Sequence, residues 1–155
     1  MKSEVAVVRA SESDLEALKS WLVAASLPVE DLTAAHMCNF LLAQDGGKAV
    51  GMVGLEQFGE FGLLRSLVVQ PAARRYGTGR ALVAAIEKQA TELGVKDLWL
   101  ITIDADRYFA RLGFETAKRD IAPAAIQMTK EYSSLCPGDA VLMHKKLLER
   151  SLERD

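Results

Sequence analysis

The chain has 155 residues, of which 50% are hydrophobic and 26% are charged, and this balance excludes a chain too polar to bury a core. Its 19 lysines and arginines against 21 aspartates and glutamates give a net charge of −2. The surface as a whole is therefore not the basic one that nucleic-acid phosphates require, and we expect no nucleic-acid partner.

The lengths of the apolar segments and the spacing of the cysteines indicate the cellular compartment of the protein. Ala81–Ile86 is typical of the longest apolar runs, far below the roughly 18–20 residues of a membrane span, and the start has no signal-peptide core. Cys38 and Cys136 are far apart and form no CxxC pair, which favours free thiols over a disulfide. His36 and His144 have no second ligand at i+4. We expect a cytoplasmic protein without a membrane segment or a metal.

The first part of the chain predicts helices between strands. Val5–Arg9 is rich in β-branched residues, as strands are, and Ser11 can cap a helix that ends before Pro28. Val29–Asn39 predicts a second, short helix. A meander follows, with strands at Phe40–Gln44, Lys48–Gln57 and Leu63–Val69, the first two flanking the hairpin turn Asp45-Gly46-Gly47.

From Thr78 the apolar period becomes helical, and Gly94 stands where a helix C-cap glycine belongs. The remaining predicted elements are a strand at Asp97–Thr102, a helix at Ala105–Leu112, a strand at Phe114–Lys118, a helical turn at Pro123–Thr129 and a strand at Ala140–Leu147. This order predicts an α/β protein with a mixed, mostly antiparallel sheet of six or seven strands flanked by helices. We expect one domain over residues 1–149 and a polar tail over residues 150–155.

The segment from Ser66 to Arg80 has the clearest chemical pattern, because a predicted buried strand runs into a loop whose glycines open a helix. Gly77 and Gly79 would let the backbone approach a ligand, and a helix start offers unpaired N–H groups and a positive dipole end. Arginines surround the loop at positions 74, 75 and 80. The pattern predicts a bound anion, most naturally a diphosphate.

Other kinds of loop share part of this pattern. A P-loop needs Gly-Lys-Ser/Thr, which is absent. A dinucleotide fingerprint needs a third glycine where Leu82 stands, although Asp104 could mimic the ribose-binding acid. A glycine-containing turn with solvated arginines is the simplest alternative.

Two motifs resemble the GNAT superfamily of N-acetyltransferases. Arg74-x-x-Gly77-x-Gly79 looks like its acetyl-coenzyme A pyrophosphate motif, and Ala110–Phe114 looks like its closing helix-and-turn signature. The resemblance implies an acyltransferase that uses acetyl-coenzyme A as co-substrate, a small-molecule amine as partner and a homodimer typical of the family.

Shorter segments are similar to one branch of that superfamily. Gly62–Val69, Ala122–Ile126 and Ser134–Pro137 look like the arsenic-resistance type, itself similar to the acetyltransferase domain of N-acetylglutamate synthases. This similarity implies an amino-acid-like acceptor, including an arsenical or other toxic analogue.

The resemblance also implies roles for single residues. Leu67, Val68 and Val69 would pair with the pantetheine through their backbone, and we assign to Val68 the N–H that polarises the thioester carbonyl. The residues that would wrap the pyrophosphate are Arg74, Arg75, Tyr76, Gly77, Thr78, Gly79 and Arg80.

Two cofactor positions depart from the family. Thr102 stands where relatives often carry an asparagine that contacts the cofactor. Phe109 stands where many members have the tyrosine that protonates the leaving thiolate, and phenylalanine has no proton to donate. Tyr108 is adjacent but points about 100° away on a helix, so we assign it to packing.

The acceptor side has three candidates. Glu56 precedes the turn into the strand predicted at Leu63–Val69 and could take the proton of an ammonium whose ordinary pKa is about 10.4. Arg65 could hold a substrate carboxylate in a bidentate pair, and Tyr132 lies in a polar segment that could form a wall of the acceptor pocket. The alternatives are a solvated strand-end residue for Glu56 and an outward-facing sheet residue for Arg65.

These residues predict an enzyme that acetylates a small, amino-acid-like amine by direct attack in a ternary complex. The alternative is a non-catalytic acyl-coenzyme A-binding sensor or scaffold, which the phenylalanine at position 109 favours.

Overall fold

The computed structural model describes residues 5–25, 32–71, 73, 77–102, 105–118, 121–127 and 140–147. In chain order the elements are β1 (Val5–Arg9), a 3₁₀ turn (Glu12–Asp14), α1 (Leu15–Ala24), a 3₁₀ helix (Ala34–Asn39), β2 (Phe40–Asp45), β3 (Lys48–Phe58), β4 (Phe61–Val69), α2 (Thr78–Glu92), β5 (Asp97–Thr102), α3 (Asp106–Arg111), β6 (Glu115–Ala117), α4 (Ala124–Gln127) and β7 (Val141–Lys146). The predicted strands, and the predicted helices from Thr78 onward, are confirmed within the described ranges with ends that differ by a residue or two.

The second predicted helix differs from its prediction. Where we expected a helix over Val29–Asn39, the described part is a 3₁₀ helix over Ala34–Asn39, and residues 26–31 lie outside the described ranges. The backbone N–H of His36 donates to the carbonyl oxygen of Thr33 at 3.0 Å, and the N–H of Thr33 donates to Nδ1 of His36 at 3.1 Å. With Thr33 as its cap and Phe40 already in a strand, the segment is short enough for 3₁₀ bonding.

A seven-stranded sheet forms within the described ranges, in the order β1-β2-β3-β4-β5-β7-β6. The pairs β1–β2, β2–β3, β5–β7 and β6–β7 are antiparallel, whereas β4 and β5 are parallel. The parallel register runs from Phe61 opposite Asp97 to Leu63 opposite Trp99. The predicted α/β fold with a mixed, mostly antiparallel sheet is confirmed.

The strand β4 contains a backbone irregularity at Ser66. Its φ of 62° is in the left-handed region, and no other non-glycine residue of the described ranges has a positive φ. A non-glycine residue held there costs on the order of 1–3 kcal/mol, so the surrounding structure must enforce the conformation. The extended path of β4 is therefore interrupted between Arg65 and Leu67.

The chain divides into two compact units, and the first is drawn from Met1–Leu55 and Ser66–Ile86. Its core contains the buried residues Ala10, Leu18, Leu22, Leu32, Met37, Phe40, Leu42 and Met52. Leu18 and Leu22 share one face of α1 because they are four residues apart. Gly54 on β3 leaves room for the ring of Phe40, which a Cβ at that position would clash with.

The second unit is drawn from Glu56–Arg65 and Glu87–Asp155. Its core contains the buried residues Leu63, Trp99, Ile101, Ala122, Ile126, Ala140 and Leu142. Trp99 and Ile101 lie on one face of β5 because side chains alternate along a strand. Trp99 is thus a core residue, while Trp21 of the first unit is only partly buried.

The side chain of Lys145 on β7 contacts the C-terminal part of α2 and the turn between α3 and β6, all within the second unit. Its Nζ donates to both carboxylate oxygens of Glu87 on α2, at 3.0 and 3.1 Å, and to the carbonyl oxygen of Leu112 at 2.9 Å. It also lies 5.8 Å from the ring centroid of Phe114. The α3–β6 turn is therefore fixed to β7 and to the C-terminal part of α2.

Replacing Lys145 by methionine is expected to lower the free energy of unfolding by about 1–2 kcal/mol, because charge-assisted hydrogen bonds are lost at a half-buried site. Urea unfolding followed by circular dichroism measures this change. Lys146→Met is the matched control, since Lys146 is the exposed next residue and should change the free energy by less than about 0.5 kcal/mol. Equal losses in both variants would contradict the role of Lys145.

Candidate functional site

The N-terminus of α2 begins in a glycine turn of the first unit. Gly77 has a φ of 72°, and the N–H of Ala81 donates to its carbonyl oxygen at 3.0 Å, which starts the helical ladder. The buried hydroxyl of Thr78 donates to the carbonyl oxygen of Ala73 at 3.0 Å. Only a residue that tolerates the left-handed region suits position 77, so the glycine signal in the sequence reflects real turn geometry.

The first turn of α2 has the features of an anion site. The N–H groups of a helix's first turn point out of its end and have no partner within the helix. In this helix they belong to Thr78, Gly79 and the exposed Arg80. Arg74, Arg75 and Tyr76, the other residues predicted around the pyrophosphate, lie outside the described ranges.

Gly51 on β3 determines how closely α2 approaches the sheet. A Cβ built on Gly51 would lie 3.0 Å from Cδ1 of Leu82, 3.2 Å from the carbonyl oxygen of Val68 and 3.4 Å from Cγ2 of Thr78. The helix start therefore packs directly on the backbone of β3. Sequence reasoning missed this role, although a glycine inside a strand often marks a close backbone approach.

The end of β4 is half-buried, and its backbone polar groups face either the edge next to β3 or the opposite edge of the strand. The N–H of Gln70 donates to the carbonyl oxygen of Val50 on β3 at 2.8 Å, and the carbonyl oxygen of Val68 also lies against that strand. Because backbone polar groups alternate between the two edges of a strand, the N–H of Val68 faces β3, while those of Leu67 and Val69 face away from it. This geometry favours Leu67 over Val68 as a donor to a ligand, and the role assigned to the N–H of Val68 stays a prediction.

Glu56 and Arg65 form an ion pair in the second unit. Nη1 of Arg65 donates to Oε2 of Glu56 at 3.4 Å. The side chain of Arg65 is 0% exposed and that of Glu56 is 13% exposed. The alternatives of an outward-facing Arg65 and a solvated Glu56 are therefore wrong, because both side chains are covered.

The pair lies on the face of the sheet that contributes to the core of the second unit. Phe58 packs against that core and Leu63 belongs to it. Glu56 and Arg65 are each two residues away along the same strands, so alternation places their side chains on the same face. The sequence indicated both residues as acceptor-side candidates but did not predict their contact.

Thr102 has a structural partner in the second unit. Its Oγ1 accepts a hydrogen bond from the N–H of Ala105 at 3.0 Å, just before α3 begins at Asp106. The residue is 9% exposed. Its hydroxyl thus fixes the backbone of the residue that precedes α3, and its predicted contact with the cofactor stays a prediction.

Phe109 is buried in an aromatic cluster. Its ring lies 5.7 Å from that of Phe114 and 5.3 Å from that of Tyr108, both in edge-on arrangements. The half-buried Tyr108 therefore has the packing contact expected of it. Tyr132, the third acceptor-side candidate, lies outside the described ranges.

Both histidines have structural partners. Nδ1 of His36 caps the 3₁₀ helix through Thr33, and Nδ1 of His144 lies 3.1 Å from Oδ1 of Asp97, while its ring stacks on Trp99 at 4.6 Å. These contacts give both side chains a structural role. Cys38 is exposed, and Cys136 lies outside the described ranges. Among the helices in the described ranges, none has the length and apolar character needed to span a membrane.

Solved structures share this fold. N-acetylglutamate synthase from Neisseria gonorrhoeae, complexed with coenzyme A and N-acetyl-glutamate, matches with a TM-score of 0.82 at 22% identity, over 96% of this chain and 36% of that one. A Mycobacterium tuberculosis protein solved in complex with CoA matches with a TM-score of 0.77 at 23% identity, over 92% of this chain and 99% of that one. At these identities the likeness establishes the fold.

Sequence relatives point to acetyltransferases. An amino-acid acetyltransferase of Neisseria meningitidis is 31% identical over 112 residues, which is 71% of this chain but 25% of that protein. This chain therefore spans about a quarter of the length of that relative. An uncharacterized N-acetyltransferase of Chlorobaculum tepidum is 27% identical over 92 residues, 59% of each chain.

A family match covers most of the chain. The family described as acetyltransferase (GNAT) matches residues 8–114, more than half of the sequence. The expected family, and acetyl-coenzyme A as its acetyl donor, are confirmed, whereas the arsenic-resistance branch stays a prediction. From residue 8 to residue 114, across both compact units, the chain belongs to the acetyltransferase (GNAT) family.

Proposed function

We propose that the chain transfers the acetyl group of acetyl-coenzyme A to the amine of a small, amino-acid-like acceptor by direct attack in a ternary complex. The family match supports the reaction class, and the relatives named amino-acid acetyltransferase support the acceptor class. The observation that carries the proposal for this chain is the covered carboxylate of Glu56, held by Arg65.

The donor half of the proposal uses the first unit. The N–H groups of Thr78, Gly79 and Arg80 at the start of α2 suit a diphosphate, because they have no partner within the helix and lie at the positive end of the helix dipole. Gly77 and Gly79 leave no side chain in the way. The N–H of Leu67 faces away from β3, where it can pair with a pantetheine amide or polarise the thioester carbonyl.

The acceptor half of the proposal uses the second unit. When bound, acetyl-coenzyme A supplies the acetyl group as an activated thioester. Glu56 takes a proton from the acceptor ammonium, directly or through water, because only the neutral amine has a lone pair for attack. The nitrogen then bonds to the acetyl carbon as the carbon–sulfur bond breaks and its electron pair goes to sulfur, and the new amide nitrogen releases its extra proton to solvent. Because Phe109 has no proton to donate, solvent protonates the thiolate.

Further parts of the proposal rest on resemblance. We include an arsenical or other toxic amino acid analogue as acceptor, since Gly62–Val69 and Ala122–Ile126 look like the arsenic-resistance branch. We also include a single N-acetyltransferase domain over residues 1–149, a cytoplasmic location and a homodimer.

The experiment that tests the proposal is thiol release from acetyl-coenzyme A across a panel of amino acids, arsenical analogues and polyamines. We expect acceptor-dependent release that is highest with one amino-acid-like amine. Tight binding of acetyl-coenzyme A by calorimetry without release on any acceptor would favour the sensor or scaffold, which the buried Phe109 supports. Neither binding nor release would overturn the proposal.

A further inference from the structure

We propose that Arg65 is a positioning residue for Glu56 and acts on the reaction through that carboxylate, without contacting the acceptor. The inference rests on the proposed function, because it concerns the residue that takes the proton. It differs from the sequence-based expectation, in which Arg65 holds a carboxylate of the substrate.

Burial is the first argument. The side chain of Arg65 is 0% exposed, and a guanidinium stays charged at every pH that a protein tolerates. A buried charge needs a counter-charge, and Glu56 supplies one at 3.4 Å. An acceptor carboxylate would have to reach a guanidinium that is covered from solvent, whereas Glu56 keeps 13% of its side chain accessible.

The surroundings of Arg65 are the second argument. Its side chain shares a face of β4 with Leu63, which is 0% exposed and belongs to the core of the second unit. The next residue, Ser66, is fixed in the left-handed region with a φ of 62°. A fully covered side chain that leaves the strand beside this fixed backbone has few other positions, so Arg65 can hold the carboxylate of Glu56 in one orientation.

The consequence for the reaction is geometric. A general base must stand within hydrogen-bond reach of the proton that it removes, and a misplacement of about 1 Å can cost on the order of a hundredfold in rate. Arg65 contacts Oε2 of Glu56 and so restricts rotation of the carboxylate. Loss of this contact should therefore lower kcat and leave the KM for the acceptor nearly unchanged.

The experiment compares Arg65→Lys, Glu56→Gln and the double variant on two acceptors: the best amino acid of the panel and the primary amine that remains when its carboxyl group is removed. Arg65→Lys keeps the buried positive charge, and thermal unfolding of each variant checks folding. Removing both charges in Glu56→Gln/Arg65→Met gives a further variant that folds without an uncompensated ion. Lys96→Met is the control, since Lys96 pairs with Glu60 at 3.6 Å with both side chains more than half exposed.

We expect Arg65→Lys to lower kcat about tenfold to a hundredfold on both acceptors. In the Glu56→Gln background, Arg65→Lys and Arg65→Met should cause less than about twofold further loss, because residues that act as one unit are not additive. Lys96→Met should change kcat by less than about twofold.

The opposite pattern would overturn the inference. If Arg65→Lys raised KM tenfold or more for the amino acid and not for the amine, and did so in the Glu56→Gln background too, Arg65 would bind the acceptor carboxylate directly. If Arg65→Lys changed neither constant, the pair would be structural only. If the wild-type protein were inactive on both acceptors, the proposed function would be wrong, and so would this inference, which rests on it. That result is distinct from either pattern expected of the variants.

Discussion

Replacing Glu56 by glutamine is expected to lower kcat by about 10²–10⁴ at pH 7, the range typical of a lost general base. At that pH fewer than about one in a thousand molecules of an amine with a pKa of 10.4 are neutral, so the base determines how often attack occurs. Without Glu56 as the base, turnover should depend on the fraction of the acceptor amine that is already neutral in solution. The rate of the variant should therefore rise about tenfold for each pH unit below the pKa of the acceptor, more steeply than that of the wild type.

Steady-state kinetics between pH 6 and pH 10 measure both effects, with acetyl-coenzyme A affinity followed by calorimetry. Glu60→Gln is the control, because Glu60 lies in the turn after β3 with 68% of its side chain exposed and should keep wild-type kinetics. Full turnover by Glu56→Gln at every pH would exclude Glu56 as the base.

The second large effect concerns the start of α2. Replacing Gly79 by tryptophan is expected to weaken acetyl-coenzyme A binding about a hundredfold or more, because the indole would fill the space in front of the first-turn N–H groups. Two charge-assisted hydrogen bonds of about 1.5 kcal/mol each correspond to about 3 kcal/mol, or roughly a hundredfold in the dissociation constant. Isothermal calorimetry with acetyl-coenzyme A measures the change.

Ala84→Trp is the matched control for this experiment. Ala84 is exposed and lies on the same helix, more than one turn from its start, so the same substitution there should leave affinity within about twofold. Circular dichroism checks that both variants keep their helix content. Unchanged affinity in Gly79→Trp would rule out α2 as the phosphate site.

Local signals in the sequence were sufficient for most elements. Gly77 marks a left-handed turn and Gly94 ends α2 with a φ of 92°, because glycine is the residue that tolerates these angles. The helix over Val29–Asn39 was predicted less well, since a capping threonine followed closely by a strand leaves room only for 3₁₀ bonding.

The sequence predicted those parts of the candidate site that depend on residues close together in the chain. The turn before α2 is such a case. The left-handed Ser66 has no comparable signal, because serine adopts that region only when surrounding structure enforces it. Strand alternation alone did not show which face of β4 is covered, and so it left open whether Arg65 points outward or inward.

The sequence by itself determined the order of strands and helices, the glycine turn that opens α2 and the family, because these depend on local backbone preferences and on short contiguous motifs. Only the tertiary structure decided that Arg65 and Glu56 form an ion pair shielded from solvent and that the start of α2 packs closely against Gly51. It also decided which backbone N–H groups of β4 face away from β3. The physical reason is that burial, ion pairing and close approach depend on residues from different strands and helices, whose distances exist only once the chain has folded.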